Sequence, residues 1–184
     1  METKISIGLP TNRLTKPKTA ESLLRLIAKT KLNILPIVST RGYTTAENRN
    51  YIATKATNEG CTHLFFVDDD MIYEEDTLDR LLAHDKDIIG GVAFTKYEKQ
   101  VDVNEYFDDK RGLVKCKALG GGVVLIKTEV FKKTPQPWYG YIWNDNGSIK
   151  ESNDWFFCHK AIESGFEVWC DSNIKAGHIG SKKY

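Results

Sequence analysis

The first half of the chain consists of short apolar runs separated by amphipathic stretches. The apolar runs lie at residues 5–10, 34–38, 63–67 and 87–94, and their length and β-branched content are typical of buried strands. The stretches between them place hydrophobic side chains at helical spacing. Strands and helices in alternation predict a mostly parallel sheet with right-handed crossovers.

Local signals predict where several of these elements begin and end. Thr44 and Glu47 have the spacing of a capping box, and Gly60 is placed to end the helix that they begin. Thr19 can cap the preceding helix. Pro36 lies inside the second strand, where it cannot donate to the ladder, so we expect that strand to be short or at an edge.

The second half of the chain has weaker helical signals, although Thr128 can cap a short helix through Phe131. We predict strands at residues 114–118, 123–126 and 166–170, a helix over residues 152–165, and a tail over residues 171–184. Neither an internal repeat nor a linker interrupts the pattern. The sequence therefore predicts a single α/β domain in which helices flank a mostly parallel central sheet.

The strand at residues 63–67 leads directly into three consecutive acids, Asp68, Asp69 and Asp70. A strand that ends in acids presents them at the carboxyl edge of the sheet, where open α/β sheets bind ligands. Adjacent carboxylates repel each other, and a divalent cation with oxygen ligands would remove that repulsion. If the strand continued, Asp68 and Asp70 would face the same side and Asp69 the other.

Other interpretations of the three acids remain open or fail on spacing. Acidic residues are common before a helix, so a turn that caps the helix near Glu75 is an alternative. An EF-hand loop requires Gly at its sixth position, which Tyr73 occupies. A dehalogenase-type phosphatase carries Asp-x-Asp-x-Thr, whereas Ile72 stands at the fifth position here.

Composition excludes few classes of protein but indicates the cellular compartment. The 184 residues carry a net charge of +1, without a basic cluster dense enough to predict nucleic-acid binding. We find neither a signal-peptide core nor an apolar run of membrane-spanning length, and we expect a cytoplasmic protein. The four cysteines are widely spaced, which favours free thiols in a reducing compartment over a zinc site.

Two further residues have side chains suited to chemistry. Asp154 lies at the predicted start of a helix, where an acid often has only a local role. His178 lies between Gly177 and Gly180 in the predicted tail, and a neutral imidazole can bind a divalent ion beside a carboxylate. The chain has neither a P-loop nor a Gly-x-Ser-x-Gly elbow.

Taken in order, these residues resemble the GT-A fold of nucleotide-sugar-dependent glycosyltransferases, most closely the inverting family 2-like enzymes of compact bacterial and viral type. The resemblance covers nearly the whole chain. It is carried by residues 5–11, 47–50, 68–70 and 152–158 together with His178, which match the family's nucleotide loop, Arg-Asn helix start, Asp-x-Asp motif, late acid and terminal histidine.

The resemblance implies a role for each matched residue. Asp70 and His178 would hold Mn²⁺ or Mg²⁺ on the diphosphate of the donor, and Asp154 would deprotonate a hydroxyl of the acceptor. A further set would contact the nucleotide-sugar, namely Pro10, Thr11, Arg13, Arg49, Asp68, Asp69 and Lys182. The enzyme would be a hexosyltransferase with a nucleoside-diphosphate sugar, such as a UDP-sugar, as donor.

The resemblance also divides the domain between its substrates. Residues 1–95 would form the nucleotide-binding half and residues 96–184 the acceptor half. The triple glycine at 120–122 and the aromatic segment at 138–143 would border a glycan or other hydroxyl acceptor. Neither nucleic acid nor a membrane span is expected.

The sequence departs from the family at two places. Asn153 and Asp154 stand where Glu-Asp is frequent, and Ser39 and Thr40 stand where an acid often holds uracil. Two alternatives therefore stay open: a non-catalytic module that binds nucleotide or sugar, and a sugar nucleotidyltransferase, although the Gly-rich N-terminal signature of the latter is missing.

Overall fold

A computed structural model describes residues 2–12, 14–40, 44–94 and 112–180 of this protein. The helices of this part are α1 (Pro17–Lys29), α2 (Thr45–Asn58), α3 (Thr77–Ala83), α4 (Thr128–Lys133) and α5 (Asn153–Glu163). The first five strands are β1 (Lys4–Pro10), β2 (Asn33–Thr40), β3 (His63–Val67), β4 (Met71–Tyr73) and β5 (Ile88–Phe94). The other five are β6 (Leu113–Cys116), β7 (Val123–Lys127), β8 (Ile142–Trp143), β9 (Ile149–Glu151) and β10 (Val168–His178).

An eight-stranded sheet organises the domain, in the order β2-β1-β3-β7-β5-β10-β4, with β6 also paired to β10. Strands β1, β2, β3, β5 and β10 run in one direction, and β7, β4 and β6 run against them. The mostly parallel α/β sheet predicted from the sequence is therefore confirmed. A short hairpin of β8 and β9 lies outside it.

Apolar side chains pack on both faces of this sheet. Alternate residues of β3 divide between the faces, because successive side chains of a strand point in opposite directions. Leu64 and Phe66 join the cluster that includes side chains of α2, α4 and α5. Phe65 and Val67 join the cluster that includes side chains of α1 and α3. Burial on both faces explains why the run is continuously apolar.

Most predicted boundaries in the first half agree with the structure. The capping box at the start of α2 is confirmed, since the Thr44 hydroxyl accepts from the Glu47 amide and the Glu47 carboxylate accepts from the Thr44 amide. Gly60 follows α2 with a φ of 69°, a conformation that favours glycine. β2 lies at the edge of the sheet, as Pro36 predicts.

Two predicted helix caps are wrong. α1 begins earlier than expected, with Lys16 at its N-cap position and Pro17 in its first turn, and Thr19 is buried inside the helix. The fixed φ of proline suits this first helical position and supplies the start signal. The predicted cap of the short helix, Thr128, is already helical and donates its hydroxyl to the Cys61 carbonyl at 2.7 Å.

The last strand is longer than predicted. Residues 171–178 continue β10 and do not form a tail, and a register shift between Asp171 and Lys175 separates its two halves. The shift interrupts the simple alternation, which hides the second half in the sequence pattern. Within the described residues, no helix is both long enough and apolar enough to cross a membrane.

Candidate active site

An open pocket of about 360 Å³ lies beside the carboxyl ends of β1 and β3. It brings together residues that are far apart in sequence. Its lining comprises Pro10, Thr11, Asn12, Thr45, Arg49, Asp68, Asp69, Asp70, Asn153, Asp154 and His178. Ligands of open α/β sheets bind at this edge, so the position agrees with a substrate site.

The three acids lie in the turn between β3 and β4. β3 ends at Val67, so the strand alternation that would place Asp68 and Asp70 on one side does not extend through them. Asp69 and Asp70 are buried, whereas the Asp68 side chain is 33% exposed. All three nevertheless line the pocket.

Tyr73 holds this turn in place through hydrogen bonds of its hydroxyl group. Its hydroxyl accepts from the Asp68 amide at 2.9 Å and donates to the Gly122 carbonyl at 2.7 Å. Burial raises the pKa of Tyr73 well above its ordinary value, so the hydroxyl keeps its proton. Tyr73 thus connects the acidic turn to the glycine segment that precedes β7.

Asp69 is held against the loop that follows β1. The Thr11 hydroxyl donates to Asp69 Oδ2 at 2.5 Å, and the Lys16 amide donates to the Asp69 carbonyl at 3.0 Å. Pro10, Thr11 and the acidic turn therefore form one wall of the pocket.

His178 and Asp70 lie close together in the pocket lining. Nε2 of His178 lies 3.9 Å from Oδ1 of Asp70, and the Ile179 amide donates to the Asp70 carbonyl at 2.8 Å. The Lys16 ammonium donates to the Ile179 carbonyl at 2.6 Å. His178 is the last residue of β10, opposite Met71, so its predicted place in a terminal tail is wrong.

The chemistry of this pair fits a divalent cation. Two ligands that each lie about 2.0–2.2 Å from one ion are separated by at most about 4.4 Å, and the measured separation is within that limit. Partial burial raises the pKa of Asp68, and Asp70 adds to the rise, whereas Arg49 opposes it. An added cation would relieve this repulsion. The described side chains nevertheless include no group of three His, Cys, Asp or Glu arranged to hold a metal, so further ligands would have to come from substrate or water.

Arg49, in the first turns of α2, lies between the acidic turn and the start of α5. Its Nη2 donates to Asp68 Oδ1 at 3.4 Å, and its Nη1 donates to Asn153 Oδ1 at 3.1 Å. Nη1 also forms an ion pair with Asp154. Only 2% of the residue is exposed, although it lines the pocket.

Asp154 enters the pocket from the first turn of α5, whose N-cap residue is Ser152. Its side chain is 21% exposed, which leaves it accessible from the pocket. Glu151, the nearest other acid, lies on β9 and accepts from His159 at 2.8 Å. Glu151 is not among the lining residues, so the two acids have different surroundings.

The triple glycine and the aromatic segment border this region in different ways. A Cβ atom at Gly121 would overlap the Arg49 guanidinium, and one at Gly122 would lie 2.7 Å from Asp68 Oδ2. Trp138 is buried and donates its Nε1 to the Phe131 and Thr134 carbonyls, whereas Trp143 is 57% exposed. Of these two tryptophans, Trp143 is the one accessible to a ligand.

Sequence reasoning missed three of the lining residues. Asn12, Thr45 and Asn153 also face the pocket. Asn153 stood out as a departure from the family pattern, but nothing in the sequence indicates that it accepts from Arg49. Two predicted nucleotide contacts, Arg13 and Lys182, lie outside the described residues.

Comparisons with known proteins give the fold. No protein-family model matches the sequence, and neither does a curated protein. Among solved structures, A197 from STIV superposes with a TM-score of 0.66 and 16% identity, over 97% of this chain and 87% of that chain. S. aureus TarS 1-349 gives a TM-score of 0.59 and 15% identity, over 96% and 60%.

A third similar structure is GalNAc-T7, crystallised with UDP, GalNAc and Mn²⁺. It gives a TM-score of 0.67 and 11% identity, over 96% of this chain and 44% of that chain. The chain thus has the GT-A fold that the sequence resemblance implies. It spans about half the length of the GalNAc-T7 and TarS structures.

Proposed function

We propose that this protein is a metal-dependent glycosyltransferase that moves a sugar from a nucleoside-diphosphate sugar to a hydroxyl acceptor with inversion. One observation carries the proposal. Residues of β1, α2, the acidic turn, α5 and the end of β10 all line the same pocket at the carboxyl edge of a GT-A sheet. Together they offer a cation site, a loop for the nucleotide and an accessible carboxylate.

Asp70 and His178 are the residues that would hold the cation. When bound, Mn²⁺ or Mg²⁺ neutralises the negative charge of the diphosphate leaving group. GalNAc-T7, which shares the fold, was crystallised with UDP and Mn²⁺, and this supports the same class of donor here. Pro10, Thr11 and Asp69 line the wall on which we place the nucleoside.

Asp154 is the residue that we assign as general base. The acceptor hydroxyl attacks the anomeric carbon from the face opposite the diphosphate and loses its proton to the carboxylate of Asp154, while the bond from that carbon to the diphosphate oxygen breaks. A single displacement of this kind inverts the anomeric centre. A positioned base contributes about 10²–10⁴ in rate.

The proposal is tested by separating donor binding from transfer. Asp70→Ala should abolish the enhancement by Mn²⁺ of nucleoside diphosphate binding in calorimetry, with unchanged thermal unfolding. Asp154→Asn should retain that binding. Its rate of nucleoside diphosphate release from a panel of nucleotide-sugars should fall by about 10²–10⁴-fold. Glu151→Gln is the matched control, since it lies three residues away and outside the pocket lining.

The possible results decide between the candidate functions. Transfer at the wild-type rate by Asp154→Asn would place the base elsewhere, and a product with the anomeric configuration of the donor would exclude inversion. Binding without turnover of any nucleotide-sugar would favour the non-catalytic module. Release of pyrophosphate from a nucleoside triphosphate and a sugar phosphate would favour the nucleotidyltransferase.

A further inference from the structure

The Arg49 guanidinium connects two parts of the pocket that come from distant segments. One terminal nitrogen contacts Asp68, which follows β3. The other contacts Asn153 and Asp154, which begin α5. A guanidinium is planar and presents its donors at fixed angles, so it sets the separation of the groups that it joins.

Arg49 is also packed against two aromatic rings and is almost fully buried. Its Cζ lies 5.6 Å from the centre of the Phe66 ring and 5.7 Å from that of Tyr139, distances that favour a cation–π interaction. Tyr139 is itself fixed, because Asn50 accepts from its amide and donates to its carbonyl. With so little of Arg49 exposed, few of its donors are left for a ligand.

The triple glycine also packs closely against Arg49. The three atoms that a Cβ at Gly121 would approach most closely all belong to the Arg49 guanidinium. The φ of Gly121 is not in the left-handed region, so its lack of a side chain answers to this contact and not to backbone strain. The absence of a side chain at Gly121 therefore leaves room for the buried guanidinium of Arg49, because protein interiors are close-packed.

We infer that Arg49 is a positioning residue that holds Asp154 in place relative to the acidic turn, and that it is not a ligand of the nucleotide. This inference rests on the proposed function for the role of Asp154, but the placement of Arg49 stands on its own contacts. It differs from the nucleotide contact that the family resemblance implies. A misplacement of about 1 Å can cost on the order of 10²-fold in rate, which is the effect expected when this link is lost.

The first experiment tests the placement and needs no substrate. Arg49→Met keeps the aliphatic stem but removes all three atoms that face Gly121. Gly121→Ala should lower the melting temperature by about 2–12 °C in the wild-type background, as overpacking does, and by less than half as much beside Arg49→Met. Equal shifts in the two backgrounds would overturn the placement.

The second experiment distinguishes positioning from nucleotide binding. In Arg49→Lys, which keeps the charge but not the fork, the Kd for UDP with Mn²⁺ and the KM for the donor should change by less than about threefold. The kcat for transfer should fall on the order of 10²-fold. Arg25→Met, on the exposed face of α1, is the control for loss of an arginine and should change neither quantity.

The two experiments also separate this inference from the proposed function. A Kd for UDP weakened about tenfold or more in Arg49→Lys, with kcat retained, would overturn the positioning role. If the wild-type protein released no nucleoside diphosphate from any nucleotide-sugar, the proposed function would fail. The melting temperatures of Arg49→Met and Gly121→Ala would still decide where Arg49 lies.

Discussion

Removal of the Tyr73 hydroxyl should destabilise the protein and loosen its acidic turn. Tyr73→Phe leaves the ring in place but takes away the acceptor of the Asp68 amide and the donor to the Gly122 carbonyl. Tyr73 is 4% exposed, so water has little access to replace either bond.

The expected cost follows from these two bonds. A buried polar group that loses its partner costs about 1–3 kcal/mol, so two such groups correspond to about 2–4 kcal/mol when neighbouring atoms relax in part. For a chain of this length, each kcal/mol lowers the melting temperature by about 2–4 °C. Tyr73→Phe should therefore melt roughly 4–16 °C below the wild-type protein.

Urea denaturation measures this free energy directly. The midpoint should fall while the slope m stays constant, because the surface exposed on unfolding is nearly unchanged. Tyr51→Phe is the control, since Tyr51 is 57% exposed on α2. A change below about 0.5 kcal/mol in Tyr73→Phe, the range of ordinary surface substitutions, would refute the reasoning.

Two further predictions concern other sites. Gly122→Ala places a Cβ against Asp68 Oδ2 and should weaken the binding of UDP with Mn²⁺ by about tenfold in calorimetry. The control is Gly147→Ala, in the solvent-exposed turn between β8 and β9, which should leave that binding unchanged. Burial alone would raise the pKa of Asp171, but the Asn173 amide and His84 overcome it and hold this pKa below its ordinary value of 3.8. The folded state thus gains stability from ionised Asp171 above about pH 4 and loses it as the pH falls through the lowered pKa. Asp171→Asn should therefore flatten the pH dependence of the urea midpoint below about pH 4. An unchanged slope would contradict this.

The sequence predicted those elements whose signals are local. The α2 capping box, the apolar run of β3 and the glycine after α2 each depend on residues within one turn or one strand, and all were confirmed. The extension of β10 through Ile174 and Ala176 was missed because its register shift breaks the alternation of buried residues. That pairing depends on β5 and β4, which no local pattern reveals.

The same distinction applies to the site. Residues 68–70 were recognisable because three consecutive carboxylates repel each other unless a cation is bound, and His178 because it lies between two glycines. Their meeting in one pocket depends on the sheet order. The contacts of Tyr73 and Arg49 join residues of more than one element. The residue type alone does not show whether an arginine is buried or exposed.

The position of β10 has a consequence for the order in which this protein can acquire its site. β10 pairs with β5 on one side and with β4 and β6 on the other, and His178 is its last residue. During synthesis, the acidic turn therefore emerges more than one hundred residues before the histidine that faces it. A nascent chain that stops short of β10 leaves β5 with an open edge, which is a template for aggregation. The approach of His178 to Asp70 is thus coupled to completion of the sheet, so partly synthesised or trimmed chains lose both together.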